Sequence, residues 1–357
     1  MTISPDPDRA PIFLIGCGRS GTSLLRSMLN AHPRIYLLQE SAFFSWTGRL
    51  PGGWDGDRCL EFYFGTFSFA WLRIDPADVR AALPSPLPRG RLGDAYRAVM
   101  KIKAAKHHRV RFGDKNPMNS DCLGTVFESF PDARVVEVVR DPRAAVVSHT
   151  KVPFSSSSLL AVNRVLRRRV RAVQPFEDRI HFVRLEDLLS DPRESIGKVL
   201  DFVGEPWDDA VLDHTRHAPK DDGIPFPWLL PGEGKPEARP PIWPQELSPA
   251  WIRLIESRHH GTMERFGYEP AVLPREPGAL ERIGAALREL PGALRKVAWL
   301  VGATRRFLSG PVSAAEGQRI MHSANPHAWE IHPDWELPDP PPVPSTDESG
   351  TPPGEAR

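Results

Sequence analysis

Apolar positions along the chain fall into two alternating periods. Ile12 to Ile15 are four consecutive apolar residues, a length that predicts one buried strand, and Leu24, Leu25, Met28 and Leu29 then recur at helical spacing. His32-Pro33 stops that helix, and Arg34 to Leu38 reads as a second strand ending at Gln39-Glu40-Ser41. Val110 to Phe112 predicts a third strand, running into Gly113-Asp114-Lys115-Asn116-Pro117. Arg134 to Val139 predicts a fourth, closed by Arg140-Asp141-Pro142, and Ile180 to Arg184 a fifth. Helices fill the intervals: Asp94 to about Ala105, a segment to Phe130, and one begun by Asp141 and Pro142 that carries Arg143, Ser148 and His149. A basic helix follows over Asn163–Arg171, then one from Asp191-Pro192 to Val203 closed by Gly204, and one from Ser248-Pro249 to Phe266. Strand and helix alternating in this way predict an α/β fold with a mostly parallel sheet.

Other segments depart from that rhythm. Residues 43–71 are crowded with aromatics, from Phe43 and Trp46 to Phe69 and Trp71, which suit either the wall of an acceptor pocket or a helical subdomain packing its own core. Residues 75–93 and 218–247 are rich in proline and read as loops. Residues 278–308 read as helical with breaks at Pro291 and Gly302. There Arg282, Arg288, Arg295, Lys296, Arg305 and Arg306 outweigh Glu281 and Glu289. Such a helix either lies on anionic lipid or packs its apolar side on the domain. The proline-rich residues 338–357 are expected to be disordered. The expected organisation is a lead-in over 1–10, a domain over 11–270 with an insertion at about 41–109, a basic helical extension over 271–337, and the tail.

Composition narrows the function. A net charge of +1 gives no global field for nucleic acid, so any anion site must be local. Cys17, Cys59 and Cys122 form no C-x-x-C pair, which points to neither a disulfide framework nor a zinc site. The N-terminus shows no signal-peptide pattern, and a reducing, cytoplasmic location is expected.

The chemistry starts at Gly16-Cys17-Gly18-Arg19-Ser20-Gly21-Thr22-Ser23, between the first strand and the first helix. Glycines let backbone N–H groups turn inward, and the helix N-terminus adds partial positive charge, so strand, loop and helix frame an anion cradle. Gly16 and Gly21 have the G-x-x-x-x-G spacing, but Thr22 stands where a triphosphatase loop has Lys, and the cation is Arg19 instead. Ligands in open parallel sheets lie beyond the carboxyl ends of the strands. Those ends supply Arg19, Glu40, Lys115, and Arg140 with Ser148: three cations and a serine around one carboxylate. Cys17 within the loop reads as a small filler, the alternative being a thiol whose pKa is lowered by Arg19 and the helix N-terminus.

With these residues the chain resembles the sulfotransferases that use 3′-phosphoadenosine 5′-phosphosulfate (PAPS), most closely the tyrosylprotein sulfotransferases and their bacterial relatives. Gly18-Arg19-Ser20-Gly21-Thr22-Ser23-Leu24 is similar to the family's 5′-phosphosulfate loop, with Gly18 in place of Pro. The family's catalytic Glu falls on Glu40, and the lysine of its K-D-P segment on Lys115, where Asn116 replaces Asp. Val139-Arg140-Asp141-Pro142-Arg143 with Ser148 matches the 3′-phosphate motif, and Glu186-Asp187-Leu188 and Gly204-Glu205-Pro206-Trp207 look like later segments.

The resemblance covers about residues 11–268 and implies a P-loop-type three-layer fold. It implies Glu40, Lys115 and Arg19 as catalytic residues, and Gly18, Arg19, Ser20, Gly21, Thr22, Ser23, Arg140 and Ser148 as the PAPS and PAP site, with no metal. The expected acceptor is a glycan, lipid, peptide or natural product; homodimerisation and peripheral membrane contact through 278–308 are further expectations. The alternatives are a P-loop small-molecule kinase and a non-catalytic nucleotide-binding protein.

Overall fold

The computed structural model describes residues 10–219 and 240–309, with short stretches between 316 and 331. Five strands, β1 (Ile12–Gly16), β2 (Ile35–Gln39), β3 (Arg111–Lys115), β4 (Arg134–Val139) and β5 (Ile180–Arg184), form one sheet in the order β2-β3-β1-β4-β5. Every pairing is parallel. Side chains alternate across a strand, so β1 serves two cores at once. Ile12 and Leu14 face Leu25 and Leu29 of helix α1 (Thr22–Ala31) and Leu200 of the Pro192–Val203 helix. Phe13 and Ile15 face Tyr96 of the Leu92–Lys106 helix and the aromatic insertion. A third core joins the helices Pro142–Thr150, Leu159–Val173 and Pro249–Arg258 through Val146, Leu166 and Ile255.

The aromatics of 43–71 chiefly build core. Phe43, Tyr63 and Phe69 are fully buried, and Phe43 stacks on Tyr96 with ring centroids 4.8 Å apart.

Three boundaries differ from the pattern reading. β3 continues through Lys115 because Gly113 pairs with β1 and β2 at once. A Cβ at Gly113 would stand 1.9 Å from the Ile12 carbonyl oxygen, so this polar stretch remains strand only with glycine there. The helix from Pro249 is interrupted at His259 (φ −115°, ψ 18°) and resumes over His260–Phe266. The extension breaks at Glu289, two residues before the expected Pro291, and Gly302 does not break it. Helices run over Ala279–Arg288 and Leu290–Leu308, with Pro291 in a first turn, where its missing N–H costs nothing. Gly302 is solvent-exposed, where about 1 kcal/mol against Ala is too little to end a helix. The expected tail 338–357, lead-in residues 1–9 and most of the 218–247 loop lie outside the described residues. No described helix is long and apolar enough to cross a membrane.

Candidate active site

The loop after β1 is shaped by its glycines. Gly16 has φ 154° and Gly21 φ 97°, and a Cβ on Gly21 would come 2.4 Å from Leu185 Cδ1. Gly21 is the N-cap of α1 and offers no side-chain cap, and the first turn holds no acid, so its N–H groups and partial positive charge stay available. Ser20 is fully buried, with its hydroxyl lacking a hydrogen-bond partner among the described residues. An orphaned hydroxyl, an uncapped helix N-terminus and Arg19 in left-handed backbone (φ 65°) fit an anion seated in the loop. Gly18 lies in the loop, and Thr22 and Ser23 open the first turn of α1, with Thr22 buried.

The 3′ side of the expected site folds onto the same loop. Arg140, just beyond β4, donates from Nη1 to the Arg19 carbonyl at 2.8 Å, and Arg19 Nε lies 3.4 Å from Ser148 Oγ. Two arginines converge here. Burial, and Arg140 beside it, pull the Arg19 guanidinium down to about 10, as burial also lowers Arg140. Burying cations side by side carries a desolvation cost, which Glu186 and Asp141 offset for Arg140. Asp141 caps the following helix and pairs with Arg143 at 2.8 Å. Arg143 is committed further to Glu256 at 2.7 Å and lies over Trp243, so it is a structural residue. Glu186 holds the Arg140 turn from beneath, accepting from the Asp141 N–H at 3.1 Å and from the Tyr268 hydroxyl at 2.8 Å.

At the ends of β2 and β3, Lys115 Nζ donates to Glu40 Oε1 at 2.6 Å, and the Glu40 N–H donates to the Lys115 carbonyl at 2.8 Å. Lys115 is completely buried, and Glu40 is partly open. Burial lowers the Lys115 pKa and the Glu40 charge opposes that shift. Glu40 (φ 55°) and Ala42 (φ 53°) both hold left-handed backbone, strain that the surrounding contacts must overcome.

Those contacts are a network that sequence reading missed. Asp114 Oδ2 accepts from the Ser41 and Tyr96 hydroxyls, each at 2.6 Å. Asn119 Nδ2 donates to Tyr96 Oη at 3.2 Å, and the Tyr63 hydroxyl to the Ser41 carbonyl at 3.0 Å. Asp114 precedes Lys115 and faces the opposite side of the sheet, so the network grips both residues flanking the ion pair.

A model described as "Sulfotransferase family" matches residues 11–209. The chain belongs to the sulfotransferase family. Curated relatives agree. A protein-tyrosine sulfotransferase of Drosophila melanogaster is 29% identical over 227 residues, 60% of this chain and 42% of the fly protein. Protein-tyrosine sulfotransferase 1 of Danio rerio is 27% identical over 228 residues, 61% of this chain and 59% of the fish protein. The chain thus spans less than two thirds of either relative's length. Among solved structures, the sulfotransferase domain of the Synechococcus PCC 7002 olefin synthase is similar at 21% identity with a TM-score of 0.46, covering 78% of this chain and 95% of that domain.

Two further residues of this sulfotransferase-family chain lie at the loop: His149, to which the sequence assigned no role, and Cys17. His149 is buried under Gly18, where a Cβ would meet its Nε2 at 2.8 Å; its Nδ1 lies 3.0 Å from Ser155 Oγ. Burial, then Arg169 and Arg19, lower its pKa to about 3, so the ring is neutral. Cys17 borders a cavity of about 400 Å³ between β4 and the Leu159–Val173 and His260–Phe266 helices, with Glu137 on its wall. Burial and Glu137 push the thiol up to about 12. That direction runs against the lowered-thiol alternative for Cys17. Among the described residues no group of three or more His, Cys, Asp or Glu could hold a metal ion.

Proposed function

We propose that this chain transfers a sulfuryl group from PAPS to an acceptor hydroxyl, leaving PAP. The observation that carries the reading is the Glu40–Lys115 contact of 2.6 Å set at strand ends beside the anion loop. The backbone N–H groups from Gly18 to Ser23 and Arg19 hold the 5′-phosphosulfate. Arg140 and Ser148 bind the 3′-phosphate, the group that separates PAPS from ATP and ADP. Glu40 takes the acceptor proton as the oxygen attacks sulfur. The new O–S bond forms while the S–O bond to the phosphate breaks, and the electron pair leaves with the phosphate oxygen. Lys115 meets that developing charge. The ion pair couples the two events: a protonated Glu40 attracts Lys115 less, which frees the ammonium for the leaving oxygen.

The curated relatives are named for protein tyrosine, and a tyrosine hydroxyl of a peptide is the acceptor we place first. A thermal-shift series with PAP, ATP and ADP, followed by incubation with labelled PAPS and tyrosine-containing acidic peptides, tests the reading. PAP alone should stabilise the protein and the label should appear on peptide. Stabilisation by ATP with none by PAP would turn the assignment toward a kinase.

A further inference from the structure

Outside the active site, the C-terminal extension carries a long exposed apolar stripe. Leu280, Ile283, Leu287, Leu290, Leu294, Val297 and Val301 recur at steps of three and four residues across the helices Ala279–Arg288 and Leu290–Leu308. All are exposed, Leu280 at 84% and Leu294 at 65%. At 100° per residue they lie on the side opposite Ala285 and Ala303, the buried positions of these helices among the described residues. The inward side is anchored. Glu289 accepts from the Leu159 N–H at 3.0 Å and the Ser158 hydroxyl at 3.2 Å, and Gly292 packs on Ser158. The stripe therefore faces away from the domain by construction, and single scattered hydrophobics do not describe it.

Charge selects the occupant. Arg288 and Arg295 are exposed along one flank of the stripe, with Arg305 near its end and Arg282 on the other flank. Arg288, Arg295 and Arg305 have no ion-pair partner among the described residues. The nearby acids are engaged elsewhere, Glu281 with Arg275 and Glu289 with the domain. A second copy of this helix is the poorer fit. The positions bordering the stripe are Gly284, Pro291 and Ala298 on one side and Ala286 and Ala293 on the other, so no complementary charges would set a register, and the flanking cations would meet like charge. An apolar strip with cations beside it and no unpaired acid near it among the described residues matches a bilayer interface carrying anionic headgroups.

We propose that residues 279–308 lie flat on an anionic membrane surface, with the Leu280–Val301 stripe in the acyl boundary and Arg288, Arg295 and Arg305 at the headgroups. The proposal is independent of the transfer reaction. The test is flotation of the full chain with phosphatidylcholine vesicles, with and without phosphatidylglycerol. The protein should float with the anionic vesicles only. The double variant Leu280→Glu/Leu294→Glu should lose more than tenfold in binding while keeping the wild-type melting temperature, since both side chains are solvent-exposed. Arg288→Gln/Arg295→Gln, which leaves the stripe intact, should weaken binding about fivefold per arginine. Failure to float, equal binding to neutral vesicles, or a dimer in light scattering that Leu294→Glu dissociates without any vesicle binding would overturn the proposal.

Discussion

Lys115 Nζ and Glu40 Oε1 lie 2.6 Å apart, with the lysine fully buried and the glutamate partly open. The Glu40 charge therefore opposes the loss of the Lys115 proton that burial favours. Glu40→Ala should lower transfer by about 10²–10⁴-fold while leaving PAP affinity nearly unchanged, because the loop and Arg140 are untouched. The same variant removes the charge that opposes desolvation of Lys115, so the lysine should lose its proton at lower pH than in the parent. Steady-state transfer and PAP calorimetry on one preparation check this, and a fully active Glu40→Ala would remove Glu40 from the reaction.

Arg140 should matter to both ends of the nucleotide. In the proposed reaction its guanidinium binds the 3′-phosphate, yet it also donates to the Arg19 carbonyl at 2.8 Å and so braces the loop. Arg140→Ala should weaken PAP by about 1.5–3 kcal/mol, the worth of a charged hydrogen bond. Adenosine 5′-phosphosulfate, which lacks the 3′-phosphate, should lose less, and what it does lose measures the brace. Equal losses for the two ligands would mean that Arg140 acts through the loop alone.

Much of this site was legible because its signals are local. Glycine spacing, the cation inside the loop and the Asp-Pro that opens a helix after Arg140 are each carried by a few neighbouring residues. The strand ends brought Glu40, Lys115 and Arg140 together because a parallel sheet aligns its carboxyl ends. The Asp114 network was hidden because Ser41 and Tyr96 stand 73 and 18 residues from Asp114, and nothing in either segment announces the other. Arg143 carried the opposite lesson. Its place in a phosphate-binding motif hid a structural task, since Glu256, which fixes it, is 113 residues away.

Tyr96 should report on how that hidden network supports catalysis. Its hydroxyl reaches the fully buried Asp114 at 2.6 Å, and Asp114 Oδ1 already lacks a partner among the described residues. Tyr96→Phe leaves the ring stack on Phe43 in place and removes one donor from a buried carboxylate. The expected cost is about 1–3 kcal/mol in urea unfolding. Through Ser41 the loss should reach the Glu40 backbone, lowering kcat more than it raises the KM for PAPS. A variant with parental stability and kcat would show that the network is dispensable.

Glu137 makes the last prediction, and its sign can be worked out. It sits mid-strand in β4 on the wall of the 400 Å³ cavity, and burial lifts its pKa from 4.5 to about 8, against the pull of Arg265. The folded state thus holds this proton more tightly than the unfolded chain does. Its contribution to stability is complete below about pH 4.5 and is lost as the pH rises through about 8. Between those limits the parent should lose stability on the order of a few kcal/mol from this group. Glu137→Gln has no proton to lose, so its urea midpoint should stay flatter across the same window and overtake the parent's on the alkaline side. The difference between the two curves isolates Glu137 from the rest of the protein's titration. Parallel curves would mean that water in the cavity already solvates the charge, and the burial argument would then fail for this residue.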